Sequence, residues 1–142
     1  MTNLVGVIVT AVDTDPQFAL GTIYTNYDGK KYKYVKLRNE TATVAGVAGD
    51  VAAYLGSPSD GDEDNTVVLD NTDAATKPVG AGVIGAAVAG VLATAYYLWV
   101  QVTGEFTAAE NLAGTPADGD ALFLSTTDKT LTLATAADDP VT

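Results

Sequence analysis

The chain has 142 residues, 47% of them hydrophobic and 18% charged, which excludes wholesale disorder and is typical of one globular domain. Its 18 acidic and 7 basic residues give a formal net charge of −11, which disfavours binding to the phosphates of nucleic acids. Histidine and cysteine are absent, which removes the common nucleophile–base pairs and the common zinc and iron ligand sets, so we expect neither an enzyme nor a metal or other cofactor.

The N-terminal part of the chain, residues 1–17, is predicted to be an edge strand or an extended arm. Its β-branched run, residues 4–12, ends at the turn cluster of residues 13–16. An arm of this kind can add a strand to the exposed sheet edge of a neighbouring molecule. The first candidate contact residues, for a capsid or a second subunit, are therefore its apolar side chains Leu4, Val5, Val7, Ile8 and Val9.

The next stretch carries the clearest local signal, a predicted β-hairpin. Residues 20–25 and 31–37 are rich in β-branched and aromatic side chains and flank the tetrapeptide Asn-Tyr-Asp-Gly at 26–29. The Asp-Gly pair favours the positive φ that a tight turn needs.

Five of the seven basic residues fall in or beside this hairpin. In an acidic protein such a concentration could dock onto an acidic partner. The alternative is that the lysines only keep a solvated or edge strand from aggregating. The second set of candidate contact residues is Lys31, Lys33, Lys36 and Arg38.

The middle of the chain is predicted to hold short strands and one acidic loop. Residues 41–55 favour a strand, a Gly-Asp turn at 49–50 and another strand, and residues 66–69 favour a further short strand. Between them, the aspartates of residues 57–65 alternate as in a calcium loop, but the required glycine and final acid are replaced by Asn65 and Asn71. We expect a plain charged loop here and no metal.

A long uncharged stretch, residues 78–104, is open to two interpretations: a membrane span or two buried strands. Its many small residues make it only modestly hydrophobic, and no basic block flanks it. Its end alternates with period two, placing Tyr96, Leu98, Val100 and Val102 on one side and Tyr97, Trp99, Gln101 and Thr103 on the other. We therefore favour strands near residues 82–89 and 95–104.

The C-terminal part is predicted to form a loop and a second hairpin. Residues 105–117 favour a loop with one helical turn, residues 121–125 and 130–134 favour paired strands, and residues 135–142 favour a mobile acidic tail. The whole pattern predicts an all-β fold, a compact β-barrel or β-sandwich of short antiparallel strands with an extended N-terminal arm. Its single β domain is expected to span residues 18–134.

Four segments in this order resemble a known family: LGTIYTNYDGKKYKYVKL, GDVAAYL, GVIGAAVAGVLATAYYLWVQVTGE and GDALFLSTTDKTLTLA. Together they are similar to the small capsid decoration, or cement, proteins of tailed bacteriophages, over residues 18–134. The chain departs from that pattern at Leu98, where the family usually has glycine, and in the length of the acidic loop 57–65. The most specific matching positions are Leu20, Gly21, Thr22, Asp28, Gly29, Tyr32, Tyr34, Val35, Trp99, Val100, Gln101, Gly104, Gly119, Asp120, Ala121 and Leu122.

The resemblance implies a structural virion protein that binds the outer surface of an icosahedral head as a homo-oligomer, often a trimer. Its partner would be the major capsid protein, whose neighbouring subunits it would bridge and stabilise; neither nucleic acid nor membrane would be a partner. Two alternatives stay open. One is a membrane-inserted coat protein that uses residues 78–104 as its span, and the other is a β-sandwich ligand-binding module with Tyr96, Tyr97 and Trp99 as an aromatic platform.

Overall fold

The structure is a computed structural model, and its described residues form ten β-strands. It describes residues 6–38, 43–55, 65–71, 79–90, 94–106, 112–113, 115, 117, 120–125 and 127–133. The strands are β1 (Val12–Asp13), β2 (Ile23–Thr25), β3 (Lys31–Arg38), β4 (Val51–Tyr54), β5 (Thr66–Val68), β6 (Gly80–Ile84), β7 (Ala95–Thr103), β8 (Leu112–Ala113), β9 (Leu122–Leu124) and β10 (Leu131–Leu133).

Five strands close into a barrel in the order β3-β5-β4-β6-β7, with β7 pairing back onto β3. The two long strands, β3 and β7, form an antiparallel ribbon along their whole length, with Tyr34 opposite Trp99 and Val35 opposite Leu98. The second edge of β3 is shared between β2 and β5, and that of β7 between β1 and β6. The predicted all-β class is thus confirmed, and of the two predicted architectures, barrel or sandwich, the structure has the barrel. Two of the pairings, β3–β5 and β8–β10, are parallel.

The core follows from the alternation of side chains along β3 and β7. One face of this ribbon points into the barrel, where Val35 and Leu37 meet Leu98 and Val100 at full burial. Removal of this apolar surface from water is the main favourable term in folding. The other strands complete the core with Ala52, Val67, Leu69, Ala81, Ile84 and Val88.

The hairpin around residues 26–29 is confirmed as β2 and β3. Asn26 shapes the turn, since its side-chain oxygen accepts hydrogen bonds from the backbone N–H groups of Asp28 (3.1 Å) and Lys30 (2.9 Å). Gly29 has φ +80°, the conformation that the Asp-Gly pair predicted.

The first strand predicted within residues 41–55 is not formed by the described residues 43–50. They contain a single antiparallel bridge, from Gly46 to Val88, followed by a turn. The buried Asp50 carboxylate accepts a hydrogen bond from the Val47 N–H at 2.8 Å, and this local bond competes with a strand ladder. The second predicted strand is present as β4.

The uncharged stretch 78–104 supplies two strands, β6 and β7. β6 ends at Ile84, earlier than predicted, and the chain then returns to the sheet only at the Val88 bridge. Among the described residues, no helix has the length and apolar character needed to cross a membrane.

The C-terminal residues build a small sheet in the order β8-β10-β9. β9 and β10 are the predicted hairpin, with Leu131 opposite Leu124. Residues 112–113 were expected in a loop or helical turn and instead form β8. They do so because they pair in parallel with β10, a long-range contact that the local sequence of residues 105–117 does not indicate.

The C-terminal sheet rests on the barrel through both apolar and polar contacts. Leu124 packs against the buried cluster of Ala53, Leu55 and Val68. The side-chain amide of Asn71 donates hydrogen bonds to the carbonyl oxygens of Ser125 (2.6 Å) and Thr127 (2.9 Å). The turn before β10 is therefore tied to the end of the barrel.

The predicted acidic loop lies outside the described residues except for Asn65, and so does the predicted tail of residues 135–142. In the part of the chain that is described, no group of three or more aspartates and glutamates is placed to hold a metal ion.

Candidate interaction surfaces

The N-terminal segment is only partly a strand. The predicted run 4–12 yields a strand at β1 alone, which includes Asp13 from the predicted turn cluster. Before β1 the chain turns, with the Ala11 N–H donating to the Ile8 carbonyl at 3.0 Å. The turn arises because this local bond replaces the ladder bonds that a continuous strand would need. β1 itself pairs with the barrel, Val12 lying opposite Leu98.

The five apolar contact candidates of this segment have different positions. Ile8 is 64% exposed, whereas Val7 and Val9 are half-buried. Leu4 and Val5 lie outside the described residues. Of the three described candidates, Ile8 is therefore the one most accessible to a neighbour.

Next to β1, a cluster of aromatic side chains covers the outer face of the β3–β7 ribbon, the face that points away from the barrel core. Phe18 packs against Tyr34 and Trp99, with ring centroids 5.3 and 5.2 Å away, and Tyr34 and Trp99 are 5.0 Å apart. Tyr24 closes the cluster 6.0 Å from Trp99. The N-terminal segment is thus anchored by aromatic packing as well as by β1.

The Tyr34 hydroxyl also ties this segment to the barrel. It donates a hydrogen bond to the Asp13 carboxylate at 3.2 Å and accepts one from the Gln17 N–H at 3.1 Å. Burial, followed by the nearby Asp13 charge, raises the pKa of Tyr34 above its usual value, and burial likewise raises the pKa of Tyr32.

The raised pKa of Tyr34 predicts a loss of stability at alkaline pH. Above the unfolded-state pKa of about 10, the unfolded chain releases a proton that folded Tyr34 keeps, so the free energy of unfolding falls as pH rises. We expect Tyr34→Phe to make this fall shallower, with a residual slope due to Tyr32. Urea midpoints measured between pH 7 and about pH 10.5 test it; parallel profiles for the two proteins would contradict it.

The four predicted basic contact residues do not form one patch. Lys31 is exposed at the start of β3, whereas Lys33, two residues further on, is half-buried on the same face of the strand as the core residue Val35. Its ammonium group donates to the Tyr54 hydroxyl at 2.9 Å and lies 4.9 Å from the centre of that ring. Lys36 and Arg38 are half-buried near the other end of the strand. Of the four, Lys31 is the one best placed to meet a partner.

The turn of the β2–β3 hairpin presents a residue that the sequence analysis passed over. Tyr27 is 97% exposed, although its neighbours hold the turn in one conformation. A large aromatic side chain at a turn otherwise made of Asn, Asp and Gly is the signal that could have found it. We call residues 26–31 the hairpin tip.

An apolar surface groove lies among β4, β6, β7 and β10. Its volume is about 340 Å³, and its lining includes Val83, Val102, Phe106 and Leu131. Gly82 lies on its floor with φ +152°, where an added Cβ would be 2.7 Å from the Gln101 carbonyl oxygen. The residue must be glycine for β6 to approach β7 this closely.

Trp99 is not placed as a surface platform. Its side chain is 2% exposed inside the aromatic cluster, and Tyr96 and Tyr97 are half-buried on opposite faces of β7.

No protein-family model, curated protein or solved structure matches the chain.

Proposed function

We propose that this chain is a capsid decoration protein that binds the outer surface of a tailed-phage head and bridges neighbouring subunits of the major capsid protein. It would act as a non-enzymatic homo-oligomer, as the resemblance implies. Bound at several points on a lattice, such an oligomer adds stability to the assembled head by mass action.

One observation carries the proposal: two of the four segments of the resemblance, the one with the hairpin and the one with Trp99, meet in one structural unit. The hairpin strand β3 and the core strand β7 pair along their full length, with Tyr34 opposite Trp99. Segments that are far apart in the sequence thus lie side by side in one ribbon. A sequence pattern that specifies a fold is expected to bring its separate parts together in this way.

The exposed part of the N-terminal segment supports a role in docking. Ile8 offers apolar surface beside a barrel whose other large apolar side chains are mostly buried. An apolar segment at an edge can extend a sheet of a partner, where backbone hydrogen bonds give affinity and side-chain pockets give specificity.

Deletion of residues 2–8 is expected to abolish head binding and leave a folded barrel, because β1 begins only at Val12. Co-sedimentation with heads of the phage that encodes the chain measures the binding. Circular dichroism and urea unfolding of the same variant check the fold.

The second variant is Ile8→Ala, which removes one exposed apolar side chain and leaves the length of the segment unchanged. We expect weaker binding than wild type and normal stability. Full-affinity binding by the truncated protein would show that the arm is not the contact, whereas no binding by the wild type would remove the cement proposal itself.

A further inference from the structure

We propose that the free edge of β2 receives an extended segment of a partner protein as an added strand. That segment carries a carboxylate opposite Thr25 and apolar side chains opposite Ile23 and Tyr24. Naming the major capsid protein as its owner rests on the proposed function, whereas the edge itself does not. The contact is the reverse of the one made by the N-terminal segment, because here the chain supplies the sheet and the partner supplies the strand.

The backbone of β2 offers hydrogen-bonding groups on its outer side. In the described part of the chain, β2 is a terminal strand of the seven-stranded sheet. The Thr22 carbonyl accepts from the Tyr34 N–H at 2.9 Å, so the even-numbered residues of this strand bond to β3. By the alternation of an antiparallel ladder, the N–H and C=O groups of Ile23 and Thr25 point away from β3. An added strand would bond to these groups.

Neither charge nor proline protects this edge. Exposed edges are commonly guarded by charged residues or prolines, and the three residues of β2, Ile-Tyr-Thr, include neither. The other terminal strand of the sheet is guarded, since β1 ends in Asp13 and Pro16 follows it. Ile23 is 52% exposed and Thr25 is also exposed. The edge is therefore open to a partner, and its length limits the contact to one short segment.

The two faces of β2 specify the side chains of the added strand. Ile23 and Thr25 lie on one face, and Tyr24 lies on the other, with its ring centroid 6.3 Å from that of Tyr32 and 6.0 Å from that of Trp99. An apolar side chain opposite Tyr24 would extend the aromatic cluster. Another opposite Ile23 would remove exposed apolar surface from water. The segment is therefore apolar at two of its three pairing positions.

A carboxylate at the third position meets basic side chains. Lys31 is exposed and lies opposite Thr25 on β3. An added strand would be two strand spacings from β3, about 9.5 Å, which a lysine and a glutamate together can span over the small Thr25. The hairpin tip also carries Lys30, so its two bases outweigh its single acid, Asp28.

The wider charge distribution places the carboxylate at this end of β2. Residues 20–38 hold five bases and one acid, a formal charge of +4, while the remaining 2 bases and 17 acids give the rest of the chain −15. An acidic segment is therefore steered toward the hairpin. At the other end of β2, the Asn65 side chain lies beside Gly21, and the acidic stretch 57–64 precedes Asn65 in the chain. A carboxylate is less favourable there than opposite Thr25.

Nuclear magnetic resonance titration of the purified protein with two blocked peptides tests the edge. The first, acetyl-Thr-Glu-Val-Val-Thr-amide, places its glutamate opposite Thr25 when it pairs antiparallel with β2, and the second has lysine in place of glutamate. We expect the first peptide to slow hydrogen exchange at the Ile23 and Thr25 amides and the second to bind at least about tenfold more weakly. Lys31→Glu should reverse this preference. Unchanged exchange at both amides, or equal binding of the two peptides, would overturn the proposal.

Thr25→Pro tests whether the partner is the capsid protein. It removes an outward N–H and leaves the bonds between β2 and β3 in place, since proline is tolerated on the outer side of an edge strand. Thr25→Ala is the matched control, because it changes the same side chain and keeps the N–H. In co-sedimentation with heads of the phage that encodes the chain, Thr25→Pro should bind at least about tenfold more weakly than Thr25→Ala. Circular dichroism checks that both variants are folded.

The two experiments separate the failure of the edge contact from the failure of the cement proposal. Equal head binding by Thr25→Pro and Thr25→Ala would overturn the assignment of the segment to the capsid protein. A wild-type protein that does not bind heads but shows the peptide effect would remove the cement proposal and support the edge contact. A wild-type protein that binds heads but not the first peptide would do the opposite.

Discussion

Trp99→Ala is expected to lower the free energy of unfolding by about 3–5 kcal/mol, the usual cost of truncating a buried tryptophan. Trp99 is 2% exposed, and its ring touches the rings of Phe18, Tyr24 and Tyr34. The cavity would open between the ribbon and the N-terminal segment that covers it. Because small domains are stable by only about 5–15 kcal/mol, this single change would leave the fold marginal.

Urea unfolding followed by far-ultraviolet circular dichroism measures this effect, since the variant lacks the fluorophore. Tyr27→Ala is the matched control: it also truncates an aromatic side chain, but one that is 97% exposed, so its effect should stay within about 0.5 kcal/mol. A loss below about 1 kcal/mol for Trp99→Ala would mean that the aromatic cluster contributes little to the fold.

Lys129→Met is expected to cost roughly 2–3 kcal/mol by leaving the Asp50 carboxylate without its cation. The Asp50 side chain is 1% exposed and lies 3.5 Å from the Lys129 ammonium nitrogen. The expected loss is below the figure for fully buried pairs because the Lys129 side chain is 30% exposed. Methionine keeps most of the aliphatic length, so the change removes the ammonium group alone, with its ion pair to Asp50 and its hydrogen bond to the Ala45 carbonyl.

Lys31→Met makes the same substitution at an exposed position of β3 and should change stability by less than about 0.5 kcal/mol. The double variant Asp50→Asn/Lys129→Met should recover part of the loss, because it removes the buried charge and keeps an acceptor for the Val47 N–H. If the losses of stability from the single variants Asp50→Asn and Lys129→Met add up to the loss of the double variant, the two side chains do not interact energetically.

This ion pair also explains how the C-terminal sheet is held. Lys129 lies in the turn before β10, has φ +64°, and also donates a hydrogen bond to the Ala45 carbonyl at 3.2 Å. Its own carbonyl accepts from the Val51 N–H at 3.1 Å. The turn is thus fixed to both ends of the loop that precedes β4, and partial separation of the C-terminal sheet is the expected first step when Lys129 is replaced.

Local signals in the sequence determined several elements correctly. The turn at residues 26–29 was predictable because Asn and Gly satisfy its backbone geometry without help from distant residues. The strand β7 was predictable because both of its faces are covered by different kinds of side chain. One face packs in the aliphatic core and the other in the aromatic cluster, so its residue types alternate with period two. These effects act within a few residues.

The candidate contact residues were only partly predictable. The clustering of bases near the hairpin is visible in the sequence, but the inward direction of Lys33 toward Tyr54 depends on the partner strand across the barrel. The groove could not be predicted at all, since its walls come from β4, β6, β7 and β10.

The sequence by itself therefore determined the all-β class, the two hairpins and the presence of two strands in the uncharged stretch. Only the tertiary structure decided that β3 and β7 close a barrel, that β3 pairs with β5 in parallel, and that residues 112–113 form a strand. The reason is physical: each of these pairings joins segments distant along the chain, and its free energy comes from the packing of the surrounding core rather than from the residues within either strand.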